Sequence, residues 1–359
     1  MNSRMIDQFL EMVKIDSESG NEANFIAYIE KELSSLGAET HIDNYGNLLA
    51  RFPSLNADKE ESILLSCHAD TVKPGIGIEP VIKDGIIRSK GNTILGADDK
   101  VGIAEMLEAL RIAEKRPVVE IAITRQEEVG LIGVNNLEFN WLTAKKGYLL
   151  DNDTLDTIVI GGPSYFTLDV EVRGKSAHAG MEPEKGINAV FAASRAISAL
   201  SLGRLDEETT ANVGVIKGGI IRNGVPDETS FLAECRSLTH EKAAKLAKQM
   251  EDIIHHEVTS VGASVKIKVE NPFKAVEISP NAETVKISQK ALKKAGIDAT
   301  TTFITGFTDA SVYNNRGIEV AVVGIGAKLE HSPDEHIYIS DMEKVLTMIV
   351  EILKISAEK

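Results

Sequence analysis

The chain has 359 residues, of which 43% are hydrophobic and 26% charged, an ordinary globular composition for two domains or for one domain with an insertion. Its formal net charge of −15 argues against a nucleic-acid or anionic-membrane binder, because phosphate groups would repel it. Two cysteines without a CxxC motif exclude a disulfide framework and a cysteine-based zinc site. The N-terminal residues carry no apolar signal segment, and no apolar run is long enough to span a membrane, so a cytoplasmic location is expected.

Residues 1–163 and 275–359 alternate between helical and extended patterns. Helices are predicted where apolar residues recur every three or four positions, and strands where short apolar runs occur. The predicted helices are 5–13, 25–36, 103–113, 282–295 and 341–355, and the predicted strands are 47–52, 62–66, 118–124, 148–150, 300–304 and 319–323. This alternation predicts an α/β domain with a mixed, largely parallel sheet flanked by helices.

Residues 164–274 have a different character. The predicted order is strand 165–173, helix 187–200, strands 211–216 and 230–235, helix 241–258 and strand 264–269. This β-α-β-β-α-β order is typical of a ferredoxin-like α+β fold. The segment is therefore predicted to be a domain inserted into the α/β domain.

Acidic and histidine side chains follow several of the predicted strands. His68 and Asp70 form an H-A-D triplet, in which an imidazole can bind a metal while the carboxylate orients it, although such a pair is more often structural. Asp98 and Asp99 precede a predicted helix. They could cap that helix, or Asp98 could bridge two metals.

Two further acidic sites follow buried strands. Glu127 and Glu128 could belong to a solvated loop, or Glu128 could bind a metal while Glu127 takes a proton from water as general base. Asp151 ends another short strand, and its neighbours Asn152 and Asp153 leave the identity of the ligand open at this point.

A late H-S-P-D-E-H segment offers His331 as a ligand, with His336 as a competitor. The combined set of histidines and carboxylates, without thiolate, suits zinc, cobalt or manganese. Two divalent ions held at strand ends could clamp an attacking water and a carbonyl oxygen.

The order of these motifs resembles a known superfamily. H-A-D, G-A-D-D-K-x-G, E-E-x-G, an isolated aspartate, G-K-S-A-H-A-G and H-S-x-x-E succeed one another along nearly the whole chain. This order resembles the dinuclear metallopeptidases that include peptidase T, carboxypeptidase G, aminoacylase and succinyl-diaminopimelate desuccinylase. Within that superfamily, the pattern looks most like peptidase T and its tripeptide aminopeptidase relatives.

The resemblance implies a set of metal ligands. His68 and Asp151 would hold one ion, Glu128 and His331 would hold the other, and Asp98 would bridge the two. The ions would be divalent, with zinc favoured and cobalt or manganese also compatible.

The resemblance also implies roles for residues around the metals. Asp70 would support His68, Glu127 would be the general base, and Glu335 would be a partner beside the late histidine. His178 of the G-K-S-A-H-A-G motif would reach the active site of a neighbouring subunit and stabilise the oxyanion. A homodimer is therefore expected.

Substrate contacts follow more loosely from the same resemblance. Arg222 and Asn223 match an insert loop that touches the substrate. Gly306 and Thr308 match a G-G-T-D loop, in which Phe307 stands here in place of the second glycine.

The implied function is a metal-dependent peptidase that acts on short peptides and releases the N-terminal residue of tripeptides. Residues 1–163 and 275–359 would form the catalytic domain, and residues 164–274 a lid and dimerisation domain. Hydrolysis of N-acyl amino acids and carboxypeptidase cleavage are alternatives that use the same metal site. A non-catalytic binding homologue is a third alternative, against which the presence of Glu127 and all candidate ligands argues.

Overall fold

The computed structural model describes residues 3–58 and 61–358. In chain order its strands are β1 (Glu39–Ile42), β2 (Leu48–Phe52), β3 (Ser62–His68), β4 (Pro80–Lys83), β5 (Ile86–Ser89), β6 (Val118–Thr124), β7 (Lys146–Asn152), β8 (Thr157–Gly162), β9 (Ser164–Arg173), β10 (Ala177–His178), β11 (Gly203–Arg204), β12 (Thr209–Gly218), β13 (Gly224–Val225), β14 (Glu228–Ser237), β15 (Ser264–Phe273), β16 (Val276–Glu277), β17 (Thr300–Phe303), β18 (Glu319–Gly324), β19 (Ala327–Lys328) and β20 (His336–Tyr338). Its helices are α1 (Ser3–Met12), α2 (Ala23–Ser35), α3 (Ala97–Ile112), α4 (Ile132–Asn135), α5 (Ala189–Ala199), α6 (His240–Ser260), α7 (Glu283–Lys294), α8 (Ala310–Asn315) and α9 (Ile339–Ser356).

The chain divides into two compact units. The first comprises the described residues up to Ile160, Glu277–Phe303 and the described residues from Thr308 onward. The second comprises Gly161–Val276 and Ile304–Phe307. Within the described ranges, none of the helices combines the length and the apolar character that a membrane span requires.

The first unit is built around a nine-stranded sheet with the order β1-β2-β6-β3-β7-β18-β8-β16, to which β17 adds by pairing with β8. Its central strands β6, β3, β7 and β18 run parallel, whereas β1, β2 and β8 pair antiparallel. Residues of the central strands are almost all buried, as expected for a sheet covered on both faces. The predicted α/β class with a mixed sheet is confirmed.

The parallel strands bring the predicted chemical residues to one edge of this sheet. β3 ends at His68, which pairs in register with Thr124, the last residue of β6. Asp151 lies near the end of β7. Because parallel strands share a carboxyl edge, residues far apart in sequence meet there.

The second unit contains a five-stranded antiparallel sheet with the order β11-β12-β14-β9-β15. Helices α5 and α6 cover one face of it, where apolar side chains of the strands and helices form a separate core. The four long strands and two helices follow the predicted β-α-β-β-α-β order, so the ferredoxin-like prediction is confirmed.

Several short elements were not predicted from the sequence. β4 and β5 form a small sheet with β19 and β20, and β1 forms an edge of the large sheet. β1 and β4 hold mostly exposed or half-buried residues, which weakens the apolar pattern that identifies a strand. The predicted helix 103–113 in fact begins at Ala97, directly after the glycine of the G-A-D-D-K motif, and includes the other four residues of that motif.

Helix α3 buries a carboxyl group that the site does not use. Glu105 is fully buried, and neither of its carboxyl oxygens has a hydrogen-bond partner among the described residues. Burial raises the pKa of Glu105 well above 4.5, and the charges of Asp99 and Asp341 add to the rise. The folded state therefore holds a proton here that the unfolded chain releases near pH 4.5.

Replacing Glu105 by glutamine is expected to make the free energy of unfolding less sensitive to pH. A raised folded-state pKa means that the stabilising effect of protonation is complete below pH 4.5 and is lost as the pH rises. The advantage of the variant over the wild type should grow by up to about 1.4 kcal/mol per pH unit as the pH rises above 4.5. Denaturant titrations at several pH values measure this difference. Equal pH slopes for Glu105→Gln and the wild type would contradict this expectation.

Candidate functional site

Three of the predicted metal ligands converge at the carboxyl edge of the large sheet. His68 comes from the end of β3, Asp98 from the first turn of α3 and Glu128 from the segment after β6. Their potential ligand atoms all lie within 4.8 Å of one another. This spacing is compatible with ligands that share one ion.

The two oxygens of Asp98 face two different histidines. Oδ1 lies 3.1 Å from His68 Nε2, and Oδ2 lies 3.2 Å from His331 Nε2. His68 Nε2 is also 3.8 Å from Asp151 Oδ1, and His331 Nε2 is 3.0 Å from Glu128 Oε1. The side chains thus form two groups, each with a histidine and a carboxylate, that share Asp98.

Backbone contacts orient His68 toward this cluster. Its Nδ1 donates to the backbone oxygen of Asp70 over 2.9 Å, and its backbone N–H donates to Asp99 Oδ2 over 3.0 Å. Nε2 is therefore the atom that faces Asp98. Burial alone would lower the pKa of His68, but the hydrogen bonds to Asp70 and Asp98 raise it well above its ordinary value.

The carboxylates of the cluster concentrate negative charge, which favours a positive charge among them. Hydrogen bonds to Asp98 and Glu128 raise the pKa of His331 to about 10. Burial would raise the pKa of Asp98, but its bonds to His331 and His68 lower it below its ordinary range. Burial raises the pKa of Asp151 well above its ordinary value, and the negative charges of Asp98, Asp309 and Glu128 add to the rise, whereas His68 acts against it. A divalent cation bound there would neutralise the same negative charge.

An unpartnered oxygen of Asp151 is a second observation that fits a site for divalent cations. Asp151 Oδ2 is buried and has no hydrogen-bond partner among the described residues. A buried carboxylate oxygen without a partner is costly unless a ligand completes it. Imidazole nitrogens with carboxylate oxygens are the ligands that zinc, cobalt and manganese accept.

Asp70 organises the backbone of the neighbouring glutamates. Its Oδ1 accepts the N–H of Glu127 over 2.9 Å, and its Oδ2 accepts the N–H of Glu128 over 3.2 Å. Oδ2 also accepts the hydroxyl of Ser19 over 2.7 Å. The carboxylate lies farther from His68, with Oδ1 at 3.6 Å from Nδ1. Asp70 therefore supports His68 mainly through its carbonyl, and Ser19 joins the site without any sequence signal.

Glu127 has the environment of a proton acceptor. Its side chain is almost fully buried, and it follows Gln126, which has a φ of 54°. Burial raises the pKa of Glu127 well above 4.5, and the negative charge of Asp151 adds to the rise. A carboxylate with a raised pKa is a stronger base than one in water, which suits general-base catalysis.

Glu335 holds the turn that presents Asp98. Its carboxylate accepts the backbone N–H groups of Gly96, Ala97 and Asp98 over 2.8, 2.7 and 3.1 Å. These bonds satisfy the first turn of α3, so the side chain of Asp98 is free to face the histidines. Glu335 thus holds the turn that presents Asp98, and its predicted role as a partner beside His331 stays a prediction.

His336 and Asn152, the alternatives to His331 and Asp151 as metal ligands, make other contacts. His336 lies in β20, where its Nδ1 donates to the backbone oxygen of Asp334 and its ring packs against Tyr338. Asn152 donates to Thr154 and Thr157. Of the residues that the sequence left open, the structure brings His331 and Asp151 to the cluster.

His178 lies in the second unit, on a short strand. β10 pairs with β13, so that His178 stands opposite Gly224, and the N–H of Ala179 donates to the backbone oxygen of Asn223 over 3.1 Å. The His178 ring is exposed, and its Nδ1 accepts the N–H groups of Gly180 and Met181 over 3.2 and 3.1 Å. The structure thus joins the predicted His178 motif and the predicted Arg222–Asn223 loop.

The other predicted substrate residues occupy two places. Arg222 is exposed beside Asn223. Gly306 is an exposed residue of the second unit, and Thr308 is a half-buried residue of the first. Phe307, which stands in place of a glycine, packs its ring at 4.9 Å from Tyr165 and 5.3 Å from Phe273, within the second unit. A cluster of aromatic rings thus explains the substitution.

Two protein-family models match parts of this chain. The model described as Peptidase dimerisation domain matches residues 162–260, and the model described as Peptidase family M28 matches residues 47–203. The uncharacterized protein YqjE of Bacillus subtilis strain 168 is 36% identical, over 99% of this chain and 99% of its own length. Peptidase T of Macrococcus caseolyticus is 25% identical over 100% of both chains.

Solved structures extend the comparison. The aminopeptidase PepT of Bacillus cereus ATCC 10987 is 35% identical with a TM-score of 0.85, over 99% of this chain and 98% of that chain. A tripeptidase of Staphylococcus aureus Mu50 is 34% identical with a TM-score of 0.90, over the same shares of 99% and 98%. The chain belongs to the peptidase T-like metallopeptidase family. It is a peptidase with a dimerisation domain, and the resemblance predicted from its motifs is confirmed.

Proposed function

We propose that this protein is a dinuclear metal-dependent aminopeptidase that releases the N-terminal residue of tripeptides. The observation that carries the proposal is the shared carboxylate of Asp98, which faces His68 on one side and His331 on the other. The full-length similarity to an aminopeptidase and a tripeptidase supports the substrate class.

The proposed ligand assignment follows the two groups around Asp98. His68 and Asp151 would hold one ion, Glu128 and His331 would hold the other, and Asp98 would bind both. When bound, divalent ions lower the pKa of a coordinated water and polarise a peptide carbonyl. Zinc is the proposed metal, and cobalt and manganese suit the same ligands.

The proton transfers are assigned to the protein. A carboxylate oxygen of Glu127 would accept a proton from the attacking water and deliver it to the leaving amine nitrogen. Asp70 keeps Glu127 in place by accepting its backbone N–H. The buried surroundings of Glu127 keep bulk water from competing for this proton.

His178 is proposed to stabilise the oxyanion. Two backbone N–H groups donate to its Nδ1, so the neutral ring carries its proton on the exposed Nε2 and can donate there. We propose that it serves the partner's active site in a homodimer, in which residues 164–274 form the lid and the dimer surface and residues 1–163 and 275–359 form the catalytic domain. The match to a dimerisation domain supports this assignment.

Two further points stay predictions. They are the cytoplasmic location and the substrate contacts by Arg222, Asn223, Gly306 and Thr308.

A substrate panel tests the proposed function. The metal-loaded protein is offered an unblocked tripeptide, the same tripeptide with an acetylated N-terminus, and an N-acetyl amino acid. We expect cleavage of the free tripeptide alone, with release of its N-terminal residue. Cleavage of the acetylated compounds would instead establish a deacylase or a carboxypeptidase at the same metal site. No cleavage of any of them despite bound metal would favour a binding homologue.

Mixed dimers test the role of His178. Glu127→Ala and His178→Ala subunits should each be nearly inactive as homodimers, because each lacks one essential group at every site. When the two are mixed and allowed to exchange subunits, one site of each heterodimer regains both groups, and activity should reappear. Absence of any recovery, with heterodimers demonstrated by native mass spectrometry, would contradict catalysis across the subunit boundary.

A further inference from the structure

Two buried hydrogen bonds tie the region of α8 to the central sheet strands. Asp309, which directly precedes α8, accepts the Thr124 hydroxyl at its Oδ2 over 2.5 Å. Tyr313, one turn later, shares a hydrogen bond of 2.9 Å with the hydroxyl of Ser66 on β3. All four side chains are almost fully buried, so these contacts are shielded from water.

Thr124 lies at the end of strand β6, just before the segment that carries Glu127. It is the last residue of β6 and stands three positions before Glu127. Its backbone oxygen accepts the N–H of Ala69 over 2.8 Å. Its hydroxyl has one other acceptor in reach, the Cys67 carbonyl, at the longer distance of 3.4 Å. The bond to Asp309 is therefore its principal side-chain contact.

The residues after Thr124 are each held by a different part of the first unit. The N–H of Arg125 donates to Asn47 Oδ1 over 3.0 Å, and the Gln126 side chain accepts the Tyr45 hydroxyl over 2.6 Å. Asp70 then takes the N–H of Glu127. Thr124 is the first of these anchor points, and its bond to Asp309 fixes the start of the segment that leads to Glu127.

Within the part of the chain that the structure describes, the Asp309 carboxylate has no side-chain partner other than Thr124. Its Oδ1 is buried and without a hydrogen-bond partner among the described residues, so Thr124 is the one side chain to which it bonds there. Burial raises the pKa of Asp309 to about 7, and the bond from Thr124 acts against this rise. Burying a carboxyl group with a single hydrogen-bond partner lowers the stability of the folded protein. Such groups are more often functional than stabilising.

We propose that Asp309 is a positioning residue, which fixes Thr124 and through it the segment that carries Glu127. The proposal rests on the proposed function, because it assigns to Glu127 the role of base. It also gives the G-F-T-D segment a task distinct from the substrate contact that the sequence predicted for Gly306 and Thr308.

Substitutions of the donor test the proposal without removing the buried carboxyl. Thr124→Val deletes the hydroxyl at nearly constant volume, and Thr124→Ser retains it. Tyr313→Phe is the matched control, because it removes the parallel buried bond to Ser66 and leaves the Glu127 segment untouched. For each variant, kcat, KM and metal content are measured well below the melting temperature. Hydrogen exchange of the Glu127 and Glu128 amides is followed in parallel.

Thr124→Val is expected to lower kcat by about 10- to 100-fold with KM and metal content unchanged, since small displacements of a catalytic group have effects of this size. Thr124→Ser should restore kcat, and Tyr313→Phe should leave it near the wild-type value. Exchange of the Glu127 and Glu128 amides should become about tenfold faster in Thr124→Val alone.

Unchanged amide exchange in Thr124→Val, or equal acceleration in Tyr313→Phe, would overturn the proposal whether or not the protein hydrolyses the assayed peptide. An unchanged kcat in Thr124→Val beside an active wild type would overturn it too. Wild-type protein that cleaves no peptide would instead refute the proposed function, and the exchange data would still decide whether Asp309 and Thr124 position the segment.

Discussion

The Glu127→Gln variant is expected to keep its metal ions and to hydrolyse peptide about 10³-fold more slowly than the wild type. Glutamine has nearly the same shape as glutamate, and the backbone N–H that Asp70 accepts is unaffected by the change. What is lost is the carboxylate that we propose to accept and return the proton. Because the loss concerns a step after binding, kcat should fall while KM changes little.

The adjacent Glu128 supplies a matched control for this prediction. Glu128→Gln makes the same chemical change one residue away, at a side chain whose Oε1 lies 3.0 Å from His331 Nε2. It should weaken metal binding, whereas Glu127→Gln should not. Steady-state kinetics and metal analysis of both variants separate the two roles. A Glu127→Gln enzyme with wild-type kcat would show that another group is the base.

The Asp98→Asn variant is expected to lose affinity for both metal ions. Among the described residues, Asp98 is the one carboxylate that faces both histidines, and an amide offers a single oxygen without charge. Removal of an outer partner of a ligand already costs about 10- to 100-fold in metal affinity, so loss of the shared ligand should exceed that range. Activity should be abolished at metal concentrations that saturate the wild type.

Asp151→Asn is the comparison for Asp98→Asn. Asp151 Oδ1 lies 3.8 Å from His68 Nε2, and Asp151 belongs to only one of the two groups. Its replacement should therefore weaken the binding of one ion and leave the binding of the other unchanged. Metal titrations monitored by calorimetry, with bound metal counted after dialysis, distinguish the two patterns. The shared-ligand assignment fails if Asp98→Asn binds as much metal as Asp151→Asn and with the same affinities.

The fold and the centre of the site were predictable because both depend on local patterns. Apolar runs identified β3, β6 and β7, and acidic or histidine residues at or just after their ends offered His68, Glu127, Glu128 and Asp151 as candidates. The family resemblance then selected among these candidates and implied their roles. Since the strands are parallel, those ends meet at one edge, and the structure brings the side chains together there.

The supporting contacts were not predictable for a physical reason. Ser19 and Asp70, Thr124 and Asp309, and Glu335 with the turn before Asp98 join residues of distant segments. Serine, threonine and single carboxylates are common in loops, so no spacing marks them as partners. Their roles depend on tertiary packing, which determines which of many polar side chains is buried beside the site.

The most direct test of the central claim is the metal dependence of peptide hydrolysis. The protein is stripped with a chelator and then titrated with zinc, while bound metal per chain and hydrolysis of an unblocked tripeptide are measured in the same samples. The stripped protein should be inactive, and activity should return as metal fills both positions around Asp98. A stripped protein that retained full activity, with metal analysis confirming removal, would contradict a metal-dependent site built on these residues.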